Sequence, residues 1–250
     1  MPSTITEQSI TFDHKRLAKA VFPKAGDKAR DIINALDLGK YEAVLLIIGA
    51  ADNIVAALKP KLTELFSRGI GRAARRVNAV IIDGGTKAGV MELMGQGVAD
   101  QGYESTLIGV APVGQVNYPG STGAGKTPLD PNHSHFVLVP GNTWGSETGR
   151  MFELVEELKI NMRVVAVVAG GGKVALNETL HAVRQAIPLI VIEGSGGLAD
   201  EIAAARRTQP DLPSDSIMAE IIAKGRIAIH PLSNSAEDVE SQVVRTIGAG

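Results

Sequence analysis

The sequence lacks cysteine, has few aromatic residues and contains no long apolar segment. Without cysteine there is no disulfide, no thiol nucleophile and no cysteine-ligated zinc. The longest uncharged apolar run, Ala43 to Ala51, is far shorter than the roughly 20 residues of a membrane-spanning helix, and the N-terminus lacks a basic-then-apolar signal pattern. A formal net charge of -2 favours neither nucleic acid nor an anionic membrane as a partner. We therefore expect a cytoplasmic protein without nucleic-acid or membrane partners.

Aliphatic residues and glycine are abundant instead. With 250 residues, of which 44% are hydrophobic, the chain can bury one large core, so we predict a single domain over residues 1–250. Aliphatic runs alternate with amphipathic helical patterns from Val44 onward, after a polar lead-in over residues 1–40. This alternation predicts an α/β fold with a parallel sheet that is covered by helices on both faces.

The predicted elements follow this rhythm along the whole chain. In the lead-in, a strand-like segment at 9–12 precedes a helix at 28–36. The other predicted strands are 44–48, 79–82, 106–111, 136–139, 164–169, 188–192 and 227–229. The other predicted helices are 53–67 with an interruption near Pro60, 87–101, 147–158, 174–186, 199–206, 216–224 and 236–247.

Six of the aliphatic runs end in a turn that contains glycine. These turns are 49–52, 84–86, 112–114, 140–142, 170–172 and 194–197. Parallel strands bring their carboxyl ends to one edge of the sheet, and ligands bind in the crevice there. Chain geometry alone explains each single turn, since helix entries often need glycine. Several turns along one edge favour a nucleotide, because its phosphates need donors from different strands.

The longest irregular stretch, residues 113–132, contains a pattern that resembles a phosphate-binding loop. Gly120, Gly125, Lys126 and Thr127 match the Walker A spacing. A working P-loop leads directly into a helix, whereas here Pro128 follows Thr127 and no helical pattern begins. We therefore predict a long loop or a lid over 113–132 rather than a site of ATP hydrolysis.

Two groups of polar residues leave alternatives open. His133 and His135 lie two residues apart beside Asp130, which suits either a metal site or hydrogen-bonded loop anchors. We predict no metal and place His133 on the wall of the crevice. Glu147 and Arg150 lie at a helix start, where they suit either ribose and phosphate contacts or a capped helix with a surface ion pair.

Together these blocks resemble a known family. The segments 84–91, 129–136 and 193–200 are similar, in that order, to the SLOG domain at the N-terminus of melastatin-type TRP channels. The resemblance extends over nearly the whole chain from Ile10, and no channel segment accompanies it. It implies a free-standing prokaryotic-type member with a three-layer Rossmann-like fold. It also implies a ligand sensor that needs no cofactor, forms a homo-oligomer and binds an NAD-derived nucleotide such as ADP-ribose at the sheet edge.

The resemblance also implies which residues contact the ligand. Carried over by position, these are Gly49, Ala50, Asn53, Gly84, Gly85, Thr86, Glu147, Arg150, Gly194, Ser195 and Gly196. The glycine turns and polar blocks themselves add Gly89, His133, Gly145, Gly171 and Gly172. One departure from the channel domains is visible at Gly197, where they commonly place an arginine.

Two further functions stay open. The wider SLOG superfamily includes the LONELY GUY phosphoribohydrolases, whose glycine-rich motif is echoed imperfectly between Pro140 and Glu147. Asn142 replaces a motif glycine, and Gly149 falls where the motif acid belongs. Glu147 is then the carboxylate available for hydrolysis of an N-glycosidic bond. The remaining hypothesis is an oligomeric scaffold with a vestigial site.

Overall fold

A computed structural model of the chain describes residues 5–13, 16–51, 54–121, 126–208 and 216–249. The strands are β1 (Thr6–Thr11), β2 (Leu17–Phe22), β3 (Ala43–Gly49), β4 (Ala79–Asp83), β5 (Leu107–Pro112), β6 (Val116–Asn117), β7 (Thr127–Pro128), β8 (His135–Val139), β9 (Arg163–Ala169), β10 (Leu189–Glu193) and β11 (Ile227–Pro231).

The helical segments lie between these strands. They are α1 (Ala29–Leu36), α2 (Lys59–Glu64), a π-helical segment (Leu65–Gly71), α3 (Arg72–Arg76), α4 (Gly89–Asp100), α5 (Thr148–Lys159), α6 (Lys173–Arg184), α7 (Gly197–Thr208), α8 (Ile217–Lys224) and α9 (Ala236–Gly248). Among the described residues, no helix is long and apolar enough to cross a bilayer.

One sheet dominates the structure, with the strand order β1-β2-β8-β5-β4-β3-β9-β10-β11. Every neighbouring pair is parallel except β1 and β2, which are antiparallel. The chain moves outward from β3 through β4, β5 and β8, then returns to β9 beside β3 and continues to β10 and β11. The direction therefore reverses between β3 and β9, and such a switch point is where doubly wound sheets bind ligands.

Helices cover both faces of the sheet because the central strands are apolar on both sides. In β3, Val44, Leu46 and Ile48 face a core that includes α1, α5, α6, α7 and α8. The alternate residues, Leu45 and Ile47 among them, face a second core with α2, the π-helical segment, α3, α4 and α9. The predicted three-layer α/β fold of Rossmann type is therefore confirmed.

The polar lead-in contributes more to the sheet than its sequence indicates. The strand-like segment near Ser9 lies in β1, and β2 extends the sheet through parallel pairing with β8. In β1 only Ile10 is buried, because this strand forms the sheet edge and its other residues face solvent. An edge strand of this kind carries no continuous apolar run from which it could be recognised.

The predicted helix at 53–67 differs from the observed one at both ends. It begins at Lys59 with Pro60 in the first turn, where the missing N–H of proline breaks no hydrogen bond, and it continues to Arg76. Gly69 and Gly71 lie in the π-helical segment of this continuation. In the fold these glycines let neighbouring helices approach, since a Cβ at Gly69 would lie 2.3 Å from a methyl carbon of Val239.

In the long stretch, the described residues 113–121 and 126–132 are anchored to the rest of the fold. β6 pairs with β7 in a small parallel sheet, and Val116 and Leu129 are buried against β2, β5 and β8. Thr127 begins a strand and not a helix, in agreement with the reading against a P-loop. Gly125 lies outside the described residues, and closure as a lid stays a prediction.

The close approach of two backbones at the switch point predicts that Gly49 tolerates no side chain. A Cβ at Gly49 would lie 2.1 Å from the carbonyl oxygen of Ala169 in β9, so Gly49→Ala must separate β3 from β9. Overpacking of this kind costs roughly 3 kcal/mol of the free energy of unfolding. Urea denaturation measures the loss.

Gly149→Ala is the matched control. Gly149 lies in α5 with no atom within 4 Å of an added Cβ, and alanine is favoured over glycine in a helix by up to about 1 kcal/mol. Equal stabilities of the two variants would contradict the assignment of close packing at Gly49.

Candidate functional site

A crevice of about 260 Å³ opens at the switch point, at the carboxyl ends of β3, β4 and β9. The ends of these strands, the starts of three helices and one residue of the long loop form its walls. The lining residues are Ile47, Gly49, Ala51, Gly84, Thr86, Ala88, Met91, Thr127, Trp144, Glu147, Gly172, Lys173, Val174, Ala175 and Glu178.

Five of the residues predicted from the sequence lie directly on this wall, namely Gly49, Gly84, Thr86, Glu147 and Gly172. Five others lie in the supporting turns rather than on the wall. They are Ala50, Gly85, Gly89, Gly145 and Gly171. Asn53 lies outside the described residues, so its predicted contact is not assessed.

Glu147 is the predicted acidic side chain that the structure brings to the crevice. It precedes the first residue of α5, is 4% exposed, and accepts a hydrogen bond of 2.8 Å from the backbone N–H of Gly145. Burial raises the pKa of Glu147, while the hydrogen bonds from the backbone at Glu147 and Gly145 offset part of this rise. The carboxylate is therefore held in place by the glycine turn before it.

Glu178 lies on the same wall and was not identified from the sequence. It is 8% exposed, and none of the described residues donates a hydrogen bond to its carboxyl group. Burial, together with the negative charges of Glu147 and Asp83, raises the pKa of Glu178 to about 8. Glu178 therefore carries a proton at neutral pH. The neighbouring acid is Glu147, whose ionised form is favoured by the hydrogen bond from the backbone N–H of Gly145.

A signal for Glu178 was present in the helical pattern. In α6, Ala175 and Ala182 are buried at positions three before and four after Glu178, so the acid lies on the apolar stripe of the helix. An acidic residue at such a position is rarely fully buried without a partner. Trp144 and Lys173 had no such signal, because their roles depend on how the loops fold.

The start of α6 provides the most open group of hydrogen-bond donors in the crevice. Gly172 precedes the helix without a side-chain cap, and no atom lies within 4 Å of a Cβ placed on it. Lys173 is the one cationic side chain among the lining residues that the structure describes. Nearby, the hydroxyl oxygen of Thr86 and Oδ2 of Asp83 are buried without hydrogen-bond partners in the described chain. Gly172 and Lys173 are therefore available to a ligand, whereas the side chain of Asp83 lies buried below the crevice wall.

His133 is placed beneath the crevice and not on its wall, which corrects the expectation from the sequence. It is fully buried, with Nε2 at 2.8 Å from Oδ1 of Asp83 and Nδ1 at 2.9 Å from Oδ2 of Asp130. Burial alone would lower the pKa of His133, but the charges and hydrogen bonds of the two carboxylates raise it to about 9. A buried imidazolium therefore joins the end of β4 to the segment before β8.

Arg150 is also placed away from the crevice. Its guanidinium donates hydrogen bonds to the carbonyl oxygens of Lys24, Ala25 and Asp27 and to the carboxylate of Glu153. It borders a separate surface groove. The predicted phosphate contact is not supported, because Arg150 instead holds the chain that leads from β2 to α1.

The predicted phosphate turn at Gly194, Ser195 and Gly196 does not line the crevice either. Its N–H groups bind acceptors of the protein itself, and Asp200 supplies two of these acceptors. Gly197 has a φ of +50°, and a Cβ there would lie 2.3 Å from the carbonyl oxygen of Gly171. The turn is packed against the end of β9, so an arginine has no room at this position.

Comparison with known proteins gives a consistent match. Residues 42–241 match the family model described as "SLOG in TRPM, prokaryote". The transient receptor potential cation channel subfamily M member-like 2 of Nematostella vectensis is 33% identical over 201 residues, which is 65% of this chain and 13% of the relative. Subfamily M member 2 of Mus musculus is 30% identical over 197 residues, 64% of this chain and 13% of the relative. The chain thus spans about an eighth of these relatives, and β1 and β2 precede the matched range.

The buried imidazolium predicts a loss of stability at alkaline pH. Because the pKa of His133 is about 9 in the folded state and roughly 6.5 in the unfolded chain, the folded state binds more protons between these values. His133 therefore contributes its full stabilisation below about pH 6.5 and loses it as the pH rises to about 9, a change of about 3 kcal/mol. Thermal unfolding from pH 6 to 10 measures this decline.

His133→Gln removes the part of the pH dependence that is due to His133. Glu178 is present in both proteins, so its contribution cancels when their free energies of unfolding are subtracted. His135→Gln is the control, because burial lowers the pKa of His135 and leaves no change between pH 6.5 and 9. If the stability of His133→Gln falls with pH as steeply as that of the unmodified protein, the charged contact of His133 with Asp83 and Asp130 is refuted.

Proposed function

The chain belongs to the SLOG family of TRPM channels and prokaryotes, and on that premise we propose that its crevice binds an NAD-derived nucleotide. The observation that carries the proposal is the crevice itself. It lies at the switch point of the sheet, where the uncapped start of α6 and Lys173 supply donors for an anion. The class includes ADP-ribose, cyclic ADP-ribose, NAD and AMP.

The arrangement of the wall suggests how a nucleotide lies in it. Phosphate binds at Gly172 and Lys173, where a helix N-terminus and a cation favour negative charge. Ribose hydroxyls lie among Thr86, Glu147 and Glu178, because these polar side chains line the wall and the hydroxyl oxygen of Thr86 is buried without a hydrogen-bond partner in the described chain. Trp144, 42% exposed at the crevice, offers an aromatic surface for the base. The enclosed volume of about 260 Å³ is near the lower limit of ligand pockets, so part of the ligand lies outside it.

A second candidate function, hydrolysis of an N-ribosyl bond, is favoured by one observation. Glu147 and Glu178 line the same crevice in environments that separate their protonation, and such a pair supplies an acid and a carboxylate. In this reaction water adds to C1′ of the ribose while the bond from C1′ to the base breaks. The departing base takes the proton of Glu178, and the proton of the water passes to Glu147.

Assembly into a homo-oligomer, cytoplasmic location and the role of a ligand sensor are part of the same proposal. Gel filtration and cell fractionation test the first two. A sensor binds its ligand without turnover, whereas a vestigial scaffold binds no nucleotide at all.

Removal of the cation at the start of α6 tests nucleotide binding. Because the chain contains one tryptophan, the fluorescence of Trp144 reports ligand in the crevice directly. Lys173→Gln removes a charge-assisted contact and should weaken AMP binding roughly tenfold or more, with adenosine affinity unchanged.

Lys40→Gln is the matched control. It removes an exposed lysine just before β3, at the opposite edge of the sheet. Binding of NAD, ADP-ribose, cyclic ADP-ribose and AMP is measured for all three proteins. The binding proposal fails if none of these ligands changes the fluorescence or the melting temperature of the unmodified protein.

Substitution of Glu178 tests the hydrolytic candidate separately from binding. Glu178→Gln should retain AMP affinity but release adenine at least a hundredfold more slowly, because general acid catalysis contributes about 10² to 10⁴ in rate. Turnover should fall above about pH 8, where Glu178 loses its proton. A pyridinium leaving group, as in nicotinamide mononucleotide, needs no proton and should be affected far less.

Glu156→Gln, an exposed acid on α5, is the control for this variant. Released base and ribose phosphate are measured by mass spectrometry. Binding without release of base from any nucleotide would exclude hydrolysis and leave the sensor.

A further inference from the structure

The turn before α5 carries an aromatic ring and a carboxylate that both line the crevice. These belong to Trp144 and Glu147. Hydrogen bonds within the turn fix its shape, since the N–H and the hydroxyl of Ser146 donate to the carbonyl oxygen of Thr143 at 3.3 and 2.7 Å. The N–H of Gly145 donates to the carboxylate of Glu147 at 2.8 Å. The ring and the carboxylate are therefore presented to a ligand by one short segment.

The crevice and its floor carry more negative than positive charge. Glu147 is 4% exposed, and the hydrogen bond from its own turn favours its ionised form. Beneath the wall, Asp83 and Asp130 share the imidazolium of His133, so these three groups retain one net negative charge. Lys173 is the one cation among the lining residues that the structure describes.

The negative charge of Asp83 acts on the crevice from below. Its Oδ1 accepts a hydrogen bond of 2.7 Å from the N–H of Gly85 and lies 2.8 Å from Nε2 of His133, whereas its Oδ2 has no partner in the described chain. Burial, together with the charges of Glu147 and Asp83, raises the pKa of Glu178 on the wall. The field of Asp83 therefore reaches the wall, because charges are weakly screened in a buried site.

The rest of the wall suits a flat ring with polar atoms at its edge. Ile47, Met91 and Val174 line the crevice together with Trp144. Thr86, which is 2% exposed, adds a buried hydroxyl oxygen that has no hydrogen-bond partner in the described chain. A buried polar group without a partner is costly, so this hydroxyl indicates a ligand that pairs with it.

A positively charged ring satisfies these features together. The face of a tryptophan attracts a cation more strongly than that of any other aromatic side chain, and the attraction grows when the cation is removed from water. Carboxylates nearby stabilise the same charge. Among NAD-derived nucleotides, such a ring is the pyridinium of nicotinamide, which is attached to C1′ of a ribose. Adenine carries no charge at neutral pH.

We propose that the crevice recognises a pyridinium riboside, with the cationic ring on Trp144 and its charge balanced by Glu147. This inference rests on the proposed nucleotide binding and specifies which end of a dinucleotide enters the crevice, namely the nicotinamide riboside and not the adenosine. The adjoining phosphate stays at Gly172 and Lys173. ADP-ribose has a hydroxyl in place of the ring, so its terminal ribose fits the same position.

The test compares nicotinamide mononucleotide with its reduced form in the full chain. The two ligands share the phosphate, the ribose and the carboxamide, and they differ in the charge of the ring. Because the reduced ring absorbs the light that tryptophan emits, binding is measured by isothermal titration calorimetry. We expect the oxidised form to bind roughly tenfold more tightly to the unmodified protein.

Two variants locate this preference in the turn. Glu147→Gln removes the charge and keeps an oxygen that accepts from Gly145, and Trp144→Leu removes the aromatic face. Each should lower the preference for the oxidised form to about threefold or less, because each removes one source of attraction for the cation.

Glu156→Gln is the matched control. Glu156 is an exposed acid on α5 and lines no part of the crevice. The substitution removes the same charge from the same helix, and the preference should stay unchanged.

The outcomes separate the two proposals. If AMP or ADP-ribose binds but the oxidised mononucleotide binds no better than the reduced one, nucleotide binding stands and recognition of the cation is refuted. If both variants fold and keep the full preference, it is refuted in the same way. If one variant does not fold, the unmodified protein and the other variant still decide. If no nucleotide binds, both proposals fail.

Discussion

Backbone N–H groups in the glycine turns at the carboxyl edge of the sheet need acceptors, and in three turns the acceptor is a carboxylate of this chain. Asp83 accepts from Gly85, Glu147 from Gly145, and Asp200 from both Gly194 and Gly196. A buried N–H without a partner costs as much as a lost hydrogen bond. The turns are therefore stable without a ligand, and acids accumulate where a nucleotide site would usually be positive.

The consequences of these acids extend through the site. Asp83 lies completely buried and shares His133 with Asp130, so a cation is held beneath the crevice and not within it. The negative charges of Asp83 and Glu147, added to burial, keep the proton on Glu178. The start of α6 lacks such an acid, which leaves it as the most open position for an anion. One structural rule thus accounts for the protonated acid, the buried imidazolium and the open start of α6.

Sequence patterns predicted most of the fold, and five of the residues that they predicted as ligand contacts line the crevice. Fully buried strands such as β3 and β9 are continuous aliphatic runs, and their two-sided burial follows from composition alone. The edge strand β1 and the start of the helix at Lys59 were harder to predict from the sequence. Edge strands carry little apolar signal, and proline occurs both at the ends and at the beginnings of helices. Arg150 and His133 were misplaced, since the partners that hold them come from residues up to 126 positions away or from a different strand.

The sequence by itself determined the order of the elements, the edge where the turns collect and the glycines at which the backbone bends, because these depend on local propensity and periodicity. The family resemblance, carried by the same turns, is borne out by the match over residues 42–241. Only the tertiary structure decided which donors stay open. Whether the N–H groups of a turn stay open depends on whether an acid such as Asp200 lies within hydrogen-bonding distance. Whether an acid such as Glu178 keeps its proton depends on which charges the fold buries beside it.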